Sequence, residues 1–292
     1  MALIVGVATT GRPDVVIRML EHLGKQTRQP DRVILSIASD SDIDGAALAQ
    51  LGLPAEIRIA PKGLTRQRNA IVEALSPDDL LVFFDDDFLP AADFLARVCT
   101  IFEQYPDIVM ATGNVLLDGI TGAGIRFEDA ERRLSSTPVM ENQFPMQVYN
   151  GYGCNMVIRA APVVEHGLRF DVCLPLYGWL EDVDFSRQLA AFGRIVWDPS
   201  LQGVHLGTKA ARTPGVKFGY SQVANPLYLV SKGTMIRSRA FSILSRNLFM
   251  NLIRSLKPEP WVDRRGRLRG NFLALRDLVT GHLRPERAAE LD

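Results

Sequence analysis

Leu80-Leu81-Val82-Phe83-Phe84-Asp85-Asp86-Asp87 is a run of five apolar residues that leads directly into three carboxylates. A short continuous apolar run of this kind predicts a strand buried on both faces of a parallel sheet. Three adjacent carboxylates at its end are costly, because like charges within ~5 Å raise one another's pKa. A hard divalent cation removes that cost, since Mg²⁺ or Mn²⁺ takes carboxylate oxygens and shares its remaining positions with phosphate. The C-terminal ends of parallel strands are also where open α/β sheets place their ligands. A solvated acidic turn, with one Asp capping a helix, explains the triplet equally well when it is taken alone.

The pattern extends in both directions. Upstream, Leu3–Ala8, Arg32–Ile37 and Glu56–Ile59 read as strands. Val15, Met19, Leu20 and Leu23 repeat at helical spacing, with Pro13 and Asp14 suited to the first turn. A second helix is expected from about Thr65 to Leu75. Downstream, a helix near Ala91–Phe102 leads to a strand at Ile108–Ala111. Strands alternating with helices of this length predict an α/β fold with a mostly parallel central sheet flanked by helices. From Gly113 to Pro145 the pattern gives way to Gly-rich and charged stretches, expected to form hairpins or a mobile loop. Gly151–Ile158 is again strand-like, and a short helix is expected near Ala160–His166. A further helix from about Leu180 turns Phe185, Leu189 and Phe192 inward, with Gly193 as its stop. Arg194–Trp197 and Gly203–Leu206 read as two more short strands.

The 292 residues are 47% hydrophobic and 23% charged, which excludes disorder and collagen-like fibre. No apolar run approaches the ~18 residues of a spanning helix. The N-terminus lacks a basic stretch and a small-residue cleavage site, so no secretion signal is expected. Cys99, Cys154 and Cys173 are widely separated without a CxxC pair, which suits a reducing cytoplasm and excludes a disulfide scaffold or zinc ribbon. The net charge of zero hides an asymmetry. Residues 1–205 hold 17 Lys and Arg against 27 Asp and Glu, a balance of −10, and residues 206–292 hold 16 against 6, a balance of +10. An acidic body suits cation binding. A basic tail suits phosphate or anionic lipid, or simply lies on the acidic body.

Other residues carry weaker signals. Glu181 and Asp182, in Glu181-Asp182-Val183-Asp184, fall in the first turn of a predicted helix. There the dipole tolerates negative charge, and a carboxylate can also accept a proton from a substrate hydroxyl. His205 lies on a predicted strand, as a core histidine or as one nitrogen ligand among oxygens. Thr9-Thr10-Gly11-Arg12 follows the first strand and Ser39-Asp40-Ser41-Asp42 the second, and loops after adjacent parallel strands converge on one ligand. Arg66 and Arg68, near Gly63, add donors for a phosphate or base. No GxGxxG follows the first strand and no GxxxxGK[ST] occurs, so the dinucleotide fold and the P-loop are poorly supported.

Taken in order, these segments resemble the inverting glycosyltransferases of family 2, which have the GT-A fold. The resemblance covers roughly residues 2–210. It rests on Thr9–Pro13, Asp40, Gly63-Leu64-Thr65-Arg66-Gln67-Arg68-Asn69-Ala70, Asp85-Asp86-Asp87, Gly153–Arg159, Glu181–Asp184 and His205. It implies a catalytic domain over residues 1–215, with a nucleotide-sugar half at about 1–112 and an acceptor half at about 113–215, before a basic helical extension over 216–292. It also implies that Thr9, Arg12, Asp40, Arg68, Asp85 and Asp86 bind the nucleotide sugar, with Asp40 at base or ribose and Asp85 at the ribose. Asp87 and His205 would hold Mn²⁺ or Mg²⁺, and Asp182, with Glu181 beside it, would be the general base. The implied donor is a nucleoside diphosphate sugar, with UDP favoured. The implied acceptor is a saccharide or lipid-linked hydroxyl, in polysaccharide or glycolipid biosynthesis; no nucleic acid is involved. The rival classes are a nucleotidyltransferase, which would release pyrophosphate, and a non-catalytic nucleotide-sugar or glycan-binding module.

The tail adds a separate expectation. At 100° per residue from Met235 to Lys257, Phe241, Leu244, Leu248, Leu252 and Leu256 share one face, with Arg239, Arg246, Arg254 and Lys257 gathered opposite. Pro258 and Pro260 end the helix. Such a helix either lies on an anionic membrane surface through residues 235–269, making the enzyme peripheral to the inner membrane face, or packs its apolar face on the catalytic domain or a second subunit.

Overall fold

The computed structural model describes residues 1–138, 140, 144–210 and 213–292. The chain divides into two compact units. The first comprises Met1–Lys62, Arg66–Arg169 and Gln188–Ala211, and the second Gly63–Thr65, Phe170–Arg187 and Arg212–Asp292.

The first unit is built on one mixed sheet. Its strands are β1 (Leu3–Ala8), β2 (Arg32–Ile37), β3 (Ala55–Ile59), β4 (Leu80–Asp85), β5 (Phe88–Pro90), β6 (Ile108–Asp118), β7 (Met146–Gln147), β8 (Asn155–Arg159) and β9 (Arg194–His205). The order is β3-β2-β1-β4-β8-β6-β9-β5, with β7 also paired to β9. Strands β3, β2, β1 and β4 run parallel. β8 is antiparallel to both β4 and β6, and β9 runs parallel to β6. Ala8 lies opposite Ser36 on one side and Asp85 on the other, so the loops after β1, β2 and β4 leave the sheet at one end. Burial drives this arrangement. Leu3, Val5, Val7, Leu80, Val82 and Phe84 pack into one core with helices Pro13–Leu23 and Phe94–Gln104. Phe84 stacks on Phe88 at 5.2 Å and meets Phe94 edge-on at 5.1 Å, which anchors β4 and the turn after it.

Three sequence expectations are corrected. The Gly113–Pro145 stretch is not hairpin or loop over most of its length. β6 continues to Asp118, a 3₁₀ turn covers Gly119–Thr121, and a helix covers Phe127–Ser136; residues 139 and 141–143 lie outside those described. The two short strands expected after Gly193 are one, β9. Asp198 accepts bonds from the Ser200 backbone and hydroxyl, and the ladder with β6 slips between Gly113 and Asn114, so a bulge absorbs the apparent break. Phe192 does not point into the core: it is exposed and stacks on His166 at 4.3 Å.

The second unit is helical. Helices Gly215–Lys232, Arg237–Arg254 and Arg264–Val279 surround a small core of Tyr220, Val223, Ala224, Ala274 and Ala288. A buried amide network supplements it: Asn251 donates to Gln222 at 2.7 Å and to Asn271 at 2.8 Å, and Asn271 donates to the Gly219 carbonyl at 2.7 Å. This network sets the rotation of helix Arg237–Arg254. Ala240 and Asn251 face inward with Leu244 and Leu248 half-buried, whereas Phe241, Leu252 and Leu256 are exposed, so the apolar face expected from the sequence is divided. Among the described residues no helix is long and apolar enough to cross a membrane.

Candidate active site

The acidic triplet leaves the end of β4 with its three side chains in different environments. Asp85, Asp87 and His205 each offer one ligand atom, and these atoms lie within 4.8 Å of one another. His205 Nε2 is 3.3 Å from Asp87 Oδ1 and 3.7 Å from Asp85 Oδ2. The other ring nitrogen is held from behind. His205 Nδ1 lies 3.0 Å from Asp118 Oδ1, and Asp118 Oδ2 accepts the Tyr152 hydroxyl at 2.8 Å. A carboxylate behind one imidazole nitrogen fixes the ring's orientation and leaves the other nitrogen to face a cation.

Strand register makes this possible, because His205 pairs with Phe88 on one side and Asp118 on the other. The close approach needs glycine. A Cβ on Gly119 would lie 2.0 Å from the Leu206 carbonyl oxygen, and one on Gly207, whose φ is +65°, would lie 2.2 Å from the Gly119 carbonyl carbon.

The carboxylates and the imidazole shift one another's titration. Burial opposes charge on His205, but bonds to Asp118 and Asp87 and the charges of Asp87 and Asp85 outweigh it and push the ring's pKa up to about 10. Burial alone would raise Asp87; the bond and charge of His205, the Arg12 charge and the Thr208 amide together hold it well below the usual carboxylate range. Asp86 differs. Burial, with the charges of Asp87 and Asp85, pushes it up to about 7 against the opposing pull of Arg12 and the Thr9 hydroxyl.

The loops after β1, β2 and β4 are fastened together. Thr9 Oγ1 donates to Asp86 at 2.7 Å, and Arg12 lies 3.1 Å from Asp86 and 3.7 Å from Asp87. Gly11 N donates to Asp42 Oδ1 at 2.7 Å, while Asp42 Oδ2 accepts from the Ala38 and Ser39 amides. Gln67 donates to the carbonyls of Thr9 and Ser36. Arg68 is buried, donates to Asp85 at 3.1 Å and to the Gly153 carbonyl at 2.7 Å, and lies over the Phe83 ring. Thr9, Arg12, Arg68, Asp85, Asp86, Asp87 and His205 therefore come together. Asp40 opens a 3₁₀ turn (Asp40–Asp42) and is exposed, and Arg66 is also exposed.

Sequence reasoning missed Asp118 and Tyr152, and within Ser39-Asp40-Ser41-Asp42 it singled out Asp40 where Asp42 is the residue that fastens the loops. Asp118-Gly119 following an apolar stretch is the one local signal that could have flagged a strand-end carboxylate, and it was hidden inside the stretch expected to be loop.

The predicted base cluster lies in the second unit, on helix Glu181–Leu189. Leu176 and Leu180 adopt positive φ, 60° and 74°, on either side of Gly178 at 62°. Left-handed backbone at two leucines is strained, and such strain concentrates at functional segments. Glu181 is buried, and Asp182 is half-buried with Oδ1 accepting from the Val183 amide at 2.8 Å. Asp184 is fully buried, bonded to Lys232 at 2.8 Å and to Thr234 at 2.7 Å.

A run of parallel strands joined to a mixed half, with Asp-x-Asp at the end of β4, is the arrangement of a GT-A glycosyltransferase. The family model "Glycosyl transferase family 2" matches residues 4–166, more than half of the chain, and the chain belongs to that family. Among solved structures it is similar to S. aureus TarS 1-349 in complex with UDP-GlcNAc, at 16% identity and TM-score 0.56, covering 100% of this chain and 84% of that one. It is also similar to the mannosyltransferase PcManGT from Pyrobaculum calidifontis in complex with GDP-Man and Mn²⁺, at 14% identity and TM-score 0.54, covering 99% and 78%. Against a longer S. aureus TarS structure, at 14% identity and TM-score 0.54, the match covers 88% of this chain but 44% of that one, so this chain spans less than half its length. At these identities the likeness establishes the fold. No curated protein matches by sequence.

Proposed function

We propose that this family 2 enzyme is a metal-dependent, inverting transferase that moves one sugar from a UDP-sugar to a hydroxyl of a saccharide or lipid-linked acceptor. The observation that carries the proposal is the grouping of Asp85, Asp87 and His205 at the ends of β4 and β9. Two carboxylates and an imidazole fit Mn²⁺ or Mg²⁺, with Mn²⁺ better suited to the nitrogen ligand. Asp85 joins Asp87 and His205 in that role, beyond the ribose contact expected for it. A divalent cation held there would neutralise the charge that grows on the departing diphosphate.

The chain's own residues do the rest. Thr9, Arg12, Asp40, Arg68 and Asp86 are assigned to the nucleotide sugar. Arg12 offers a guanidinium to the diphosphate, and Asp86 holds Arg12 and Thr9 in place. Asp182 takes the proton of the acceptor hydroxyl as attack begins, with Glu181 beside it. Asp184 is the weaker candidate because its carboxylate already bonds Lys232 and Thr234. Attack from the side opposite the diphosphate inverts the anomeric centre. UDP is favoured because TarS binds UDP-GlcNAc, while the GDP-Man complex of PcManGT keeps the base as the variable to test. The free thiols Cys99, Cys154 and Cys173 support a cytoplasmic location.

A thermal-shift screen of UDP-, GDP- and dTDP-sugars with Mn²⁺ tests the donor, since a ligand that binds only the folded state raises the melting temperature. A Mn²⁺-dependent shift with a UDP-sugar, followed by release of UDP, is the expected result. Release of pyrophosphate, or no metal-dependent shift with any donor, overturns the proposal.

A further inference from the structure

We propose that the outward face of helix Arg237–Arg254 docks on an anionic lipid bilayer. The observation is a stripe of large apolar side chains facing solvent: Phe241 and Phe249 are each 61% exposed, Leu252 54% and Ile253 49%, with Leu256 just beyond the helix at 84%. At 100° per residue the four helical positions fall within about 120° of one another, directly opposite the inward-facing Ala240 and Asn251. The stripe runs for about 18 Å at 1.5 Å per residue. Scattered exposed apolar residues need no explanation, but Phe249, Leu252, Ile253 and Leu256 gather at one end of this face, with Phe241 set apart from them by the exposed Ser242 and Ser245, and such a cluster marks an interaction surface.

The charge around the stripe selects the occupant. Residues 233–258 contain five basic residues (Arg237, Arg239, Arg246, Arg254 and Lys257) and no Asp or Glu, with Glu259 just beyond lying 3.9 Å from Arg254. Arg239 and Arg246 project along one edge of the stripe, where their heads can meet lipid phosphates while the aromatic and aliphatic groups enter the acyl boundary. At the C-terminal end of the helix, Ser255 and helix Arg264–Val279 border an open groove of about 520 Å³ lined by Leu268, Phe272 and Leu273 together with Arg265, Arg269 and Arg276. Apolar and arginine side chains side by side repeat the same chemistry. A second copy of the chain is the poorer occupant, because this stretch holds no Asp or Glu with which the basic residues of another copy could pair. The inference is independent of the donor and metal assignments above.

The test is sedimentation of the intact protein with phosphatidylcholine vesicles, with and without phosphatidylglycerol, at low and high salt. Binding is expected only with phosphatidylglycerol present, and weaker at high salt. The variant Phe249→Asp/Leu252→Asp should lower the partition coefficient roughly tenfold or more, with its circular dichroism unchanged. Should that variant melt abnormally, Arg239→Glu/Arg246→Glu makes the same test without placing charge on the apolar stripe. Failure to sediment with phosphatidylglycerol vesicles at low salt overturns the inference, as does binding that both variants leave intact. So does light scattering that gives twice the chain mass for the native protein and a single mass for the Asp variant without lipid, because a second copy would then cover the face.

Discussion

Asp118 stands behind His205 and is not one of the three residues grouped for a metal, yet the proposed site depends on it. Its bond to His205 Nδ1 turns Nε2 toward Asp85 and Asp87. Asp118→Asn should therefore lower Mn²⁺ affinity about 10–100-fold, the usual loss when a ligand's supporting carboxylate is removed. Titration calorimetry checks this, with the melting temperature of the metal-free protein as control for folding. The same ring gives a proton signature. With its pKa pushed up from 6.5 to about 10, His205 is charged at neutral pH and must lose that proton to bind a metal. Mn²⁺ binding near pH 7.5 should release about one proton, measured as a dependence of the apparent enthalpy on buffer ionisation. Without metal the sign is fixed by linkage. The charged ring's contribution to stability is fully present below about pH 6.5 and is lost as pH rises through about 10, so the stability gap between the native protein and His205→Gln should close over that range.

Among the elements, β4 was legible almost residue for residue, and so was β2, because continuous apolar runs bounded by charges leave few alternatives. β6 and β9 were not. Both carry polar residues, glycine and irregular pairing in their second halves, which read as loop or as separate strands when neighbours are unknown. Those two halves supply Asp118 and His205, so the sequence reached only one of the two. Gly119 links element to site. Gly119→Ala sets a Cβ against the Leu206 carbonyl, which must move. Mn²⁺ affinity should fall together with melting temperature in that variant at every pH, whereas the stability lost in Asp118→Asn should fade as pH rises toward 10 and the His205 ring loses its charge. On helix Glu181–Leu189 the split should run the other way. Asp182→Asn should lose ~10²–10⁴-fold in turnover with donor affinity retained. Asp184→Asn should chiefly lower the melting temperature, because it breaks a buried ion pair with Lys232. Steady-state kinetics beside thermal melts separate the two, and the larger kinetic loss at Asp184 would move the base assignment there.

At the scale of the molecule, the charge asymmetry read from sequence follows function more closely than it follows compactness. The acidic excess of residues 1–205 includes Glu181, Asp182 and Asp184, yet these belong to the same compact unit as the basic C-terminal helices. Charge counts cannot reveal this, because Asp171 and Asp184 meet Lys232 only after the chain has folded. The three residues proposed to hold the metal, by contrast, all lie in the first unit, at strand ends. A ligand that binds only the folded form stabilises what it holds together, and local opening differs from one part of a structure to another. Hydrogen exchange with and without Mn²⁺ should therefore slow at the ends of β4, β6 and β9 and in Gly207–Thr208, whose amide at Thr208 donates to Asp87. Helices Arg237–Arg254 and Arg264–Val279 contribute no ligand and should exchange at unchanged rates. Protection confined to Asp85–Asp87, with Val204–Thr208 unaffected, would mean that His205 is not a ligand and that the carboxylates hold the metal without it.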